Sequence, residues 1–345
     1  MRIFQVITLC ELGGAQTVVV NLANKLSEQN EVVVIAGEGD GKMWLLLSPA
    51  VKIEHCPHLQ RAVSPKADFL AAIELRRLYR KYKPDIIHLH SSKAGILGRI
   101  VFPTAKVVYT VHGFDSVRIA YRKFLPVERL MQHFCRAVVG VSEYDRRNLI
   151  SERITKNVCT VYNGIVRPNT SIMPPIPKFG EYAKTILCIA RVFPPKKPSL
   201  FVETARLLPE YGFVWIGNQR DITEFDLPSN CYFAGNISNA GAYCSLADLF
   251  MLPSNYEGLP MVIIEAMSFG KPVVASNVGG VSEIVRNGEN GYTLENNAEL
   301  FAEKIRYILS DEVRYKAFSA KSLEIFDTRL TIENMVNGYL KVYSE

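Results

Sequence analysis

Two glutamates with seven residues between them, Glu257 and Glu265, bracket the segment EGLPMVIIE, which also carries the turn and helix signals of a phosphate site. Gly258 frees the backbone, Pro260 suits the first position of a helix, and Gly270 ends that helix. A helix starting here after a strand turns its free N–H groups toward the C-terminal ends of the strands, where open α/β sheets take ligands. A diphosphate is the guest such a terminus favours. Carboxylates beside a bound phosphate need do no acid–base work and are suited to accepting hydrogen bonds from sugar hydroxyls. Taken alone, the same spacing describes Glu257 capping a helix and Glu265 on its solvated face, and for isolated glutamates that plainer reading is the commoner one.

The spacing within EGLPMVIIEA, followed by GKPVVAS and GGVSEIV, resembles the retaining family-4 glycosyltransferases of the GT-B fold, of the type that builds bacterial surface polysaccharides. The likeness covers the whole chain in the expected order. It implies an α/β protein of two Rossmann-like doubly wound domains facing a central cleft, with Gly258, Leu259, Pro260 and Glu265 on the nucleotide side and Glu257 orienting the sugar.

The resemblance also gives roles to residues elsewhere. ELGGAQ follows the first strand as the family's GGAE-type loop does, with Gln16 where Glu is usual, so Gly13 and Gly14 would let backbone amides approach the donor phosphate. His112 ends the strand in VYTVHGFD, matches the histidine set against the donor sugar, and is expected to hydrogen-bond a sugar hydroxyl. CIARVFPPKKPSL resembles the family's Gly-Arg-Leu opening and the lysine after it: Arg191 and Lys196 would clamp the diphosphate and stabilise charge on the leaving group. Ala190 and Lys197 stand where glycines are usual. The base is expected against the loops after FVWIGN and CYFAGN, where Gly217-Asn218 replaces an aspartate-containing turn. Lys93 in HLHSSKAGILGR either faces an anionic acceptor or is simply solvated.

Positioning these residues requires parallel sheets covered by helices, and short β-branched runs alternating with amphipathic stretches predict them. IFQVIT, EVVVIAG, DIIHLH, KVVYTVHG and AVVGVS read as strands of a first domain, 1–165, the acceptor side. Ser64 and Pro65 predict the start of a helix running to about Tyr82. VYNGIVRPNTSIMPPIPKFG, rich in Pro, Gly, Asn and Ser, reads as the linker. KTILCIAR, FVWIGN, CYFAGN, LFMLPS, KPVVAS and GYTL read as strands of a donor domain, 166–329, with helices near 199–208, 240–247, 260–269 and 281–286. The last helix, from about 330 to 345, is expected to pack back on the first domain.

At 345 residues the chain exceeds the usual size of one core, and 48% apolar with 21% charged residues is ordinary globular composition. Seven scattered cysteines with no CxxC pairing argue against a disulfide framework, and a short N-terminal apolar run argues against a signal peptide, so a cytoplasmic protein is expected. Residues 1–165 hold 23 Lys and Arg against 14 Asp and Glu, whereas the remainder is slightly acidic. Such a basic half fits an anionic membrane surface or a phosphorylated acceptor, and no nucleic-acid motif accompanies it. Within SVRIAYRKFLPVERLMQHFCRA, Arg118, Arg122, Lys123, Arg129 and Arg136 read either as one helix lying on anionic lipid at the inner face of the membrane or as an ordinary packing helix that Pro126 interrupts.

The expected partners are a nucleotide diphosphate sugar, with UDP preferred, and a glycan or lipid-linked glycan acceptor. With no DxD element and no metal-spaced cluster, no cofactor or metal is expected, the positive charge coming from the helix terminus, Arg191 and Lys196. The rival readings are a nucleotide-sugar 2-epimerase of the same architecture and a non-catalytic nucleotide-sugar-binding protein. A nicotinamide oxidoreductase would need GxGxxG after the first strand, and this chain has only Gly13-Gly14.

Overall fold

Strands such as EVVVIA and VVYTV lack polar alternation, so they must be covered on both faces, as in parallel sheets whose crossovers are helices. The computed structural model shows this twice. It describes residues 1–171, 173–176, 179–218 and 222–345 and divides into two units, Met1–Gly164 with Ile332–Glu345, and Ile165–Thr331. Ile172, Pro177 and Lys178 of the expected linker lie outside the described residues.

The first unit runs β1 (Arg2–Val6), α1 (Gly14–Leu26), β2 (Glu31–Ala36), β3 (Lys52–His55), α2 (Pro65–Tyr82), β4 (Ile86–His90), α3 (Ser92–Val101), β5 (Val107–Val111), α4 (Leu125–Met131), β6 (Ala137–Gly140), α5 (Glu143–Ser151) and β7 (Val158–Thr160). Its strands lie in the order β3-β2-β1-β4-β5-β6-β7, every neighbouring pair parallel. Order therefore reverses between β1 and β4, the place where such sheets open a crevice. The edge strands β3 and β7 were not foreseen, because their side chains are half-buried or exposed and give no apolar run. Helix α2 begins as expected, with Ser64 accepting from the Ala67 N–H.

The second unit runs β8 (Thr185–Ile189), α6 (Pro198–Leu207), β9 (Gly212–Ile216), β10 (Cys231–Phe233), β11 (Leu249–Leu252), α7 (Met261–Ser268), β12 (Val273–Ser276), β13 (Gly291–Leu294), α8 (Ala298–Leu309) and α9 (Glu312–Arg329). Its strand order, β10-β9-β8-β11-β12-β13, reverses between β8 and β11. Trp215, Phe201 and Phe213 fill its core, and the Trp215 indole donates to the Ala190 carbonyl at 2.7 Å, fixing the chain one residue before Arg191. Two expected helices are shorter than foreseen: residues 240–245 and 281–283 form 3₁₀ turns. The last helix, α10 (Ile332–Ser344), belongs to the first unit and packs against α1.

The segment read as one basic helix is instead a π turn at Ser116–Ala120, a 3₁₀ turn at Arg122–Phe124, the seven-residue α4 and a further 3₁₀ turn. Its cations are mostly engaged within the protein. Arg118 pairs with Asp115, Arg122 and Arg129 with Glu152, and Arg136 donates to the Tyr343 carbonyl. A buried pair, Arg99 with Glu128, fastens the segment to α3. Among the described residues no helix is long and apolar enough to cross a membrane.

Candidate functional site

Each unit carries candidate residues at its own strand-order reversal. In the second unit the loops leaving β8 and β11 are stitched together: the Lys197 N–H donates to the Pro253 carbonyl at 3.1 Å and the Asn255 N–H to the Pro195 carbonyl at 2.9 Å. Behind them the Ser254 N–H donates to Ser276 Oγ, Ser276 donates to Asn296 Oδ1, and the Asn296 amide returns to the Ser254 carbonyl, at 2.6–3.0 Å. The β11 loop is thus held by its own polar frame, and the loop that carries Glu257 follows from it.

Between these loops the Lys196 ammonium pairs with Glu257, the two side chains only 17% and 12% exposed. Glu257 therefore does not cap the helix. Three N–H donors on Lys196 and a second oxygen on Glu257 leave both groups able to bind a ligand while paired. Arg191 is exposed and its guanidinium has no partner among the described residues, so it is the cation left to take a phosphate in bidentate fashion. Pro260 is the N-cap of α7, with ψ 121°, rather than its first residue, and it leaves the N–H groups of Met261 and Val262 without partners among the described residues. Gly258 and Leu259 form the turn into that terminus, Leu259 buried.

The glycine pair in GGVSEIV has a geometric task that the sequence did not disclose. Gly279 has φ +59°, and a Cβ there would lie 1.9 Å from the Glu257 carbonyl oxygen. The next N–H, that of Gly280, donates to the Gly258 carbonyl at 2.9 Å. The loop after β12 therefore backs directly onto the Glu257-Gly258 peptide, and any side chain would push it out.

Glu265 is not on a solvated face. It is half-buried, a Cβ on Gly241 would come within 2.8 Å of its carboxyl, and that carboxyl has no hydrogen-bond or ion-pair partner among the described residues. Burial pushes its pKa up to about 7. A half-buried acceptor without a donor is suited to a ligand that brings hydroxyls.

In the first unit α1 has no side-chain cap and no acidic residue in its first turn, so the N–H groups of Gly14, Ala15 and Gln16 have no partner among the described residues. Gly14 has open space where a Cβ would sit, whereas a Cβ on Gly13 would lie 2.7 Å from the Gln16 amide oxygen, and Gln16 folds back to donate to the Leu9 carbonyl. Ser91, at the end of β4, takes the left-handed φ of 72° and bonds Thr8 Oγ1 at 2.7 Å, joining the loops after β1 and β4. Lys93 pairs with Asp68, which accounts for it without an acceptor.

His112 follows β5, and Asp145 holds the loop beyond it by accepting from the Phe114 N–H at 2.7 Å. Its Nε2 lies 2.9 Å from His90 Nδ1, His90 Nε2 lies 2.7 Å from Gln5 Oε1, and the Gln5 amide nitrogen lies 3.3 Å from the Tyr343 hydroxyl on α10. Tyr343 lies 2.7 Å from His88 Nδ1, and His88 Nε2 lies 2.7 Å from Thr110 Oγ1. Burial lowers the pKa of all three histidines, His112 to about 4, and keeps the imidazoles neutral. Gln5, His88, His90 and Thr110 were missed in the sequence. Their signal was polar residues inside central, otherwise apolar strands, which must find partners when buried.

Comparison with known proteins agrees with this architecture. The family described as Glycosyltransferase Family 4 matches residues 12–167, and Glycosyl transferases group 1 matches residues 171–324. An Escherichia coli UDP-Gal:alpha-D-GlcNAc-diphosphoundecaprenol alpha-1,3-galactosyltransferase is 29% identical over 83% of this chain and 82% of its own. The O-antigen biosynthesis glycosyltransferase WbnH of the same species is 25% identical over 98% of this chain and 97% of its own. Among solved structures, Anabaena Alr3699/HepE in complex with UDP-glucose superposes with a TM-score of 0.83 at 20% identity, covering 100% of this chain and 99% of that one.

Three outcomes follow from the geometry of the second unit. Lys196→Met strands a largely buried carboxylate and is expected to cost about 2 kcal/mol of stability, part of which returns when Glu257→Gln is added; denaturant titration of both single variants and the double gives the coupling, and additive effects would remove the pair. Glu265 has a folded pKa above its ordinary 4.5, so the folded protein keeps a proton that the unfolded chain releases, and this stabilisation, present at acid pH, is lost as pH rises through about 7. Glu265→Gln should accordingly raise the melting temperature at pH 8 and leave it unchanged at pH 5. Calorimetry with UDP-glucose should show wild-type affinity falling, by up to about tenfold per pH unit, as pH drops below 7, because only the carboxylate accepts two hydroxyls. A flat profile would place Glu265 outside the ligand site.

Proposed function

The chain belongs to glycosyltransferase family 4, and from that premise we propose that this GT-B glycosyltransferase moves a hexose or N-acetylhexosamine from a UDP-sugar to a polyprenyl-diphosphate-linked glycan in surface-polysaccharide biosynthesis, with retention of anomeric configuration. One observation carries the donor side of this reading. Arg191, which has no partner among the described residues, the ammonium of Lys196 and the amides at the start of α7 all arise where the β8 and β11 loops meet, and together they suit a diphosphate.

In the proposed reaction the acceptor hydroxyl oxygen bonds to the anomeric carbon on the face that the donor's phosphate oxygen leaves. The carbon–oxygen bond to the β-phosphate breaks with its electron pair, and the acceptor's proton passes to the departing UDP. Arg191, Lys196 and the α7 amides stabilise the growing charge on that leaving group. Glu257 and His112 orient the sugar, and Glu265 holds the ribose. Gly13 and Gly14 let the amides at the start of α1 approach the phosphate. Since these groups supply the positive charge, the reaction is proposed to run without a metal ion.

The lipid-linked acceptor is supported by the name of the galactosyltransferase relative and by the surface between Ile119 and Phe134. Ile119 and Leu130 are 59% and 60% exposed, and Tyr121, Phe124, Val127 and Phe134 are also open. The cations around them are mostly paired, so apolar insertion, more than charge, is the proposed attraction to the inner face of the cytoplasmic membrane.

Incubation with a panel of UDP-sugars and a polyprenyl-diphosphate-linked saccharide is expected to yield a product with the donor's anomeric configuration, at a rate unchanged by EDTA. Glu257→Ala should lower kcat by about a hundredfold or more with folding intact. Inversion, dependence on added magnesium or manganese, or turnover without an acceptor to an epimeric nucleotide sugar would each contradict the corresponding part. Sedimentation with phospholipid vesicles should survive about 0.5 M salt, where surface charge is screened, and should be weakened by Ile119→Ser with Leu130→Ser; loss of binding in salt would assign the attraction to charge instead.

A further inference from the structure

We propose that His112 is locked as its Nε2–H tautomer by a one-way chain of hydrogen bonds ending in the C-terminal helix, so that its free Nδ1 accepts a donor-sugar hydroxyl and rejects a carboxylate. Gln5, His90 and Tyr343 are then positioning residues for sugar specificity. The specificity rests on the reading of His112 as a donor-sugar contact; the tautomer does not.

The direction of the chain follows from counting protons. A neutral imidazole has one donor and one acceptor nitrogen, and a hydroxyl has one proton to give. Gln5 is the member with a fixed polarity, its amide oxygen 2.7 Å from His90 Nε2 and its nitrogen 3.3 Å from the Tyr343 oxygen. His90 Nε2 must therefore carry hydrogen and donate to Gln5, which leaves His90 Nδ1 as an acceptor. His112 Nε2, 2.9 Å from that acceptor, must then carry its own hydrogen. On the far side Gln5 donates to Tyr343, which frees the phenol proton for His88 Nδ1 at 2.7 Å. His88 Nε2–H donates to Thr110 Oγ1 at 2.7 Å, and Thr110 gives its proton to the Tyr339 oxygen at 3.2 Å. Within the chain each bond has one donor and one acceptor, and no two acceptors meet.

Turning the Gln5 amide over would reverse every bond, making His112 Nδ1 a donor. That alternative asks the Tyr343 phenol oxygen, a weak acceptor, to receive from imidazole at 2.7 Å, and gives the amide oxygen, the better acceptor, the longer 3.3 Å contact. The forward chain instead sets the acidic phenol of Tyr343 against an imidazole nitrogen and the amide oxygen at the shorter contact. His112 Nδ1 has no partner among the described residues, so the chain leaves one lone pair for a ligand. A sugar hydroxyl can donate to it. A uronate carboxylate at the same place would set oxygen lone pairs against a nitrogen lone pair, an unpaired arrangement in a desolvated site.

The strand register explains how distant residues form the chain. Gln5 on β1 lies beside His88 on β4, His90 lies beside Thr110 on β5, and residues two apart on a strand share a face. Helix α10 covers that face and contributes Tyr339 and Tyr343, both fully buried.

The test is nitrogen NMR of the full-length protein labelled with 15N-histidine, assigned with His90→Gln and His112→Gln. His112 and His90 are both expected in the Nε2–H form; a His112 found as Nδ1–H, or as an averaging mixture, overturns the proposal. Two variants then connect tautomer to selectivity. Gln5→Met removes the polarity and is expected to let His112 sample both tautomers. The kcat/KM ratio of UDP-glucose over UDP-glucuronate, and of the galactose pair, should then fall by about tenfold. Gln5→Glu keeps an oxygen facing His90 and should hold both the Nε2–H form and the ratio, whereas a residue serving only packing would lose stability in both variants and leave the ratio alone. Unchanged ratios in a folded Gln5→Met overturn the specificity claim, and misfolding of that variant still leaves the wild-type spectrum to decide the tautomer. If no nucleotide sugar is turned over, the functional reading fails on its own, and the spectrum still judges the chain.

Discussion

Where the strand order of a parallel sheet reverses, neighbouring strands send their chains to opposite faces, and the loops that leave them must meet without a helix to cover the gap. That constraint governs both units of this protein. In the second it brings the β8 and β11 loops into one frame, so Arg191, Lys196 and Glu257 are held by main-chain bonds rather than by side-chain preference. In the first it joins the loops after β1 and β4 through Thr8 and Ser91, at the cost of a left-handed backbone on a residue other than glycine. Helix starts follow from the same geometry, because α1 and α7 each leave a switch-point strand and arrive with uncapped N–H groups.

The charges in the second unit are arranged for a guest rather than for the resting fold. Lys196 and Glu257 neutralise each other, and among the described residues Arg191 has no carboxylate and the half-buried Glu265 no donor. A fold selected for stability alone would exchange a half-buried carboxyl whose pKa is raised by desolvation for an apolar group. Keeping it makes sense where a ligand supplies the missing hydrogen bonds, and local violations of folding rules are expected where function sits.

Much of this was legible in the chain itself. Central strands announce themselves because they are apolar throughout, whereas β3 and β7, at the sheet edge, have neither an apolar run nor a buried face to mark them. The helix from Ser64 was readable from local capping chemistry, which does not depend on the rest of the fold. By contrast, Pro260 as cap rather than first helical residue is a one-residue distinction that only the observed ψ decides. The pairing of Lys196 with Glu257, and of Gly279 with the Glu257 carbonyl, joins residues far apart in sequence, and no local pattern encodes such contacts. The segment from Ser116 to Phe134 misled for another reason: its cations mark a surface, but their carboxylate partners, Asp115 and Glu152, decide whether that charge is free.

Polar side chains in the middle of an apolar sheet are costly unless each finds a partner, and a half-satisfied network is worse than none. The histidines of β4 meet this demand only because α10 lies over them, since Tyr343 is the link between Gln5 and His88. That helix is the last element of the chain and follows directly on α9 of the second unit, yet it completes the core of the first. A chain of hydrogen bonds that begins beside His112 thus cannot close until α10 is seated on the first unit. In the proposed chain, the chemistry presented by one imidazole is in this way tied to the hydroxyl of a residue on α10.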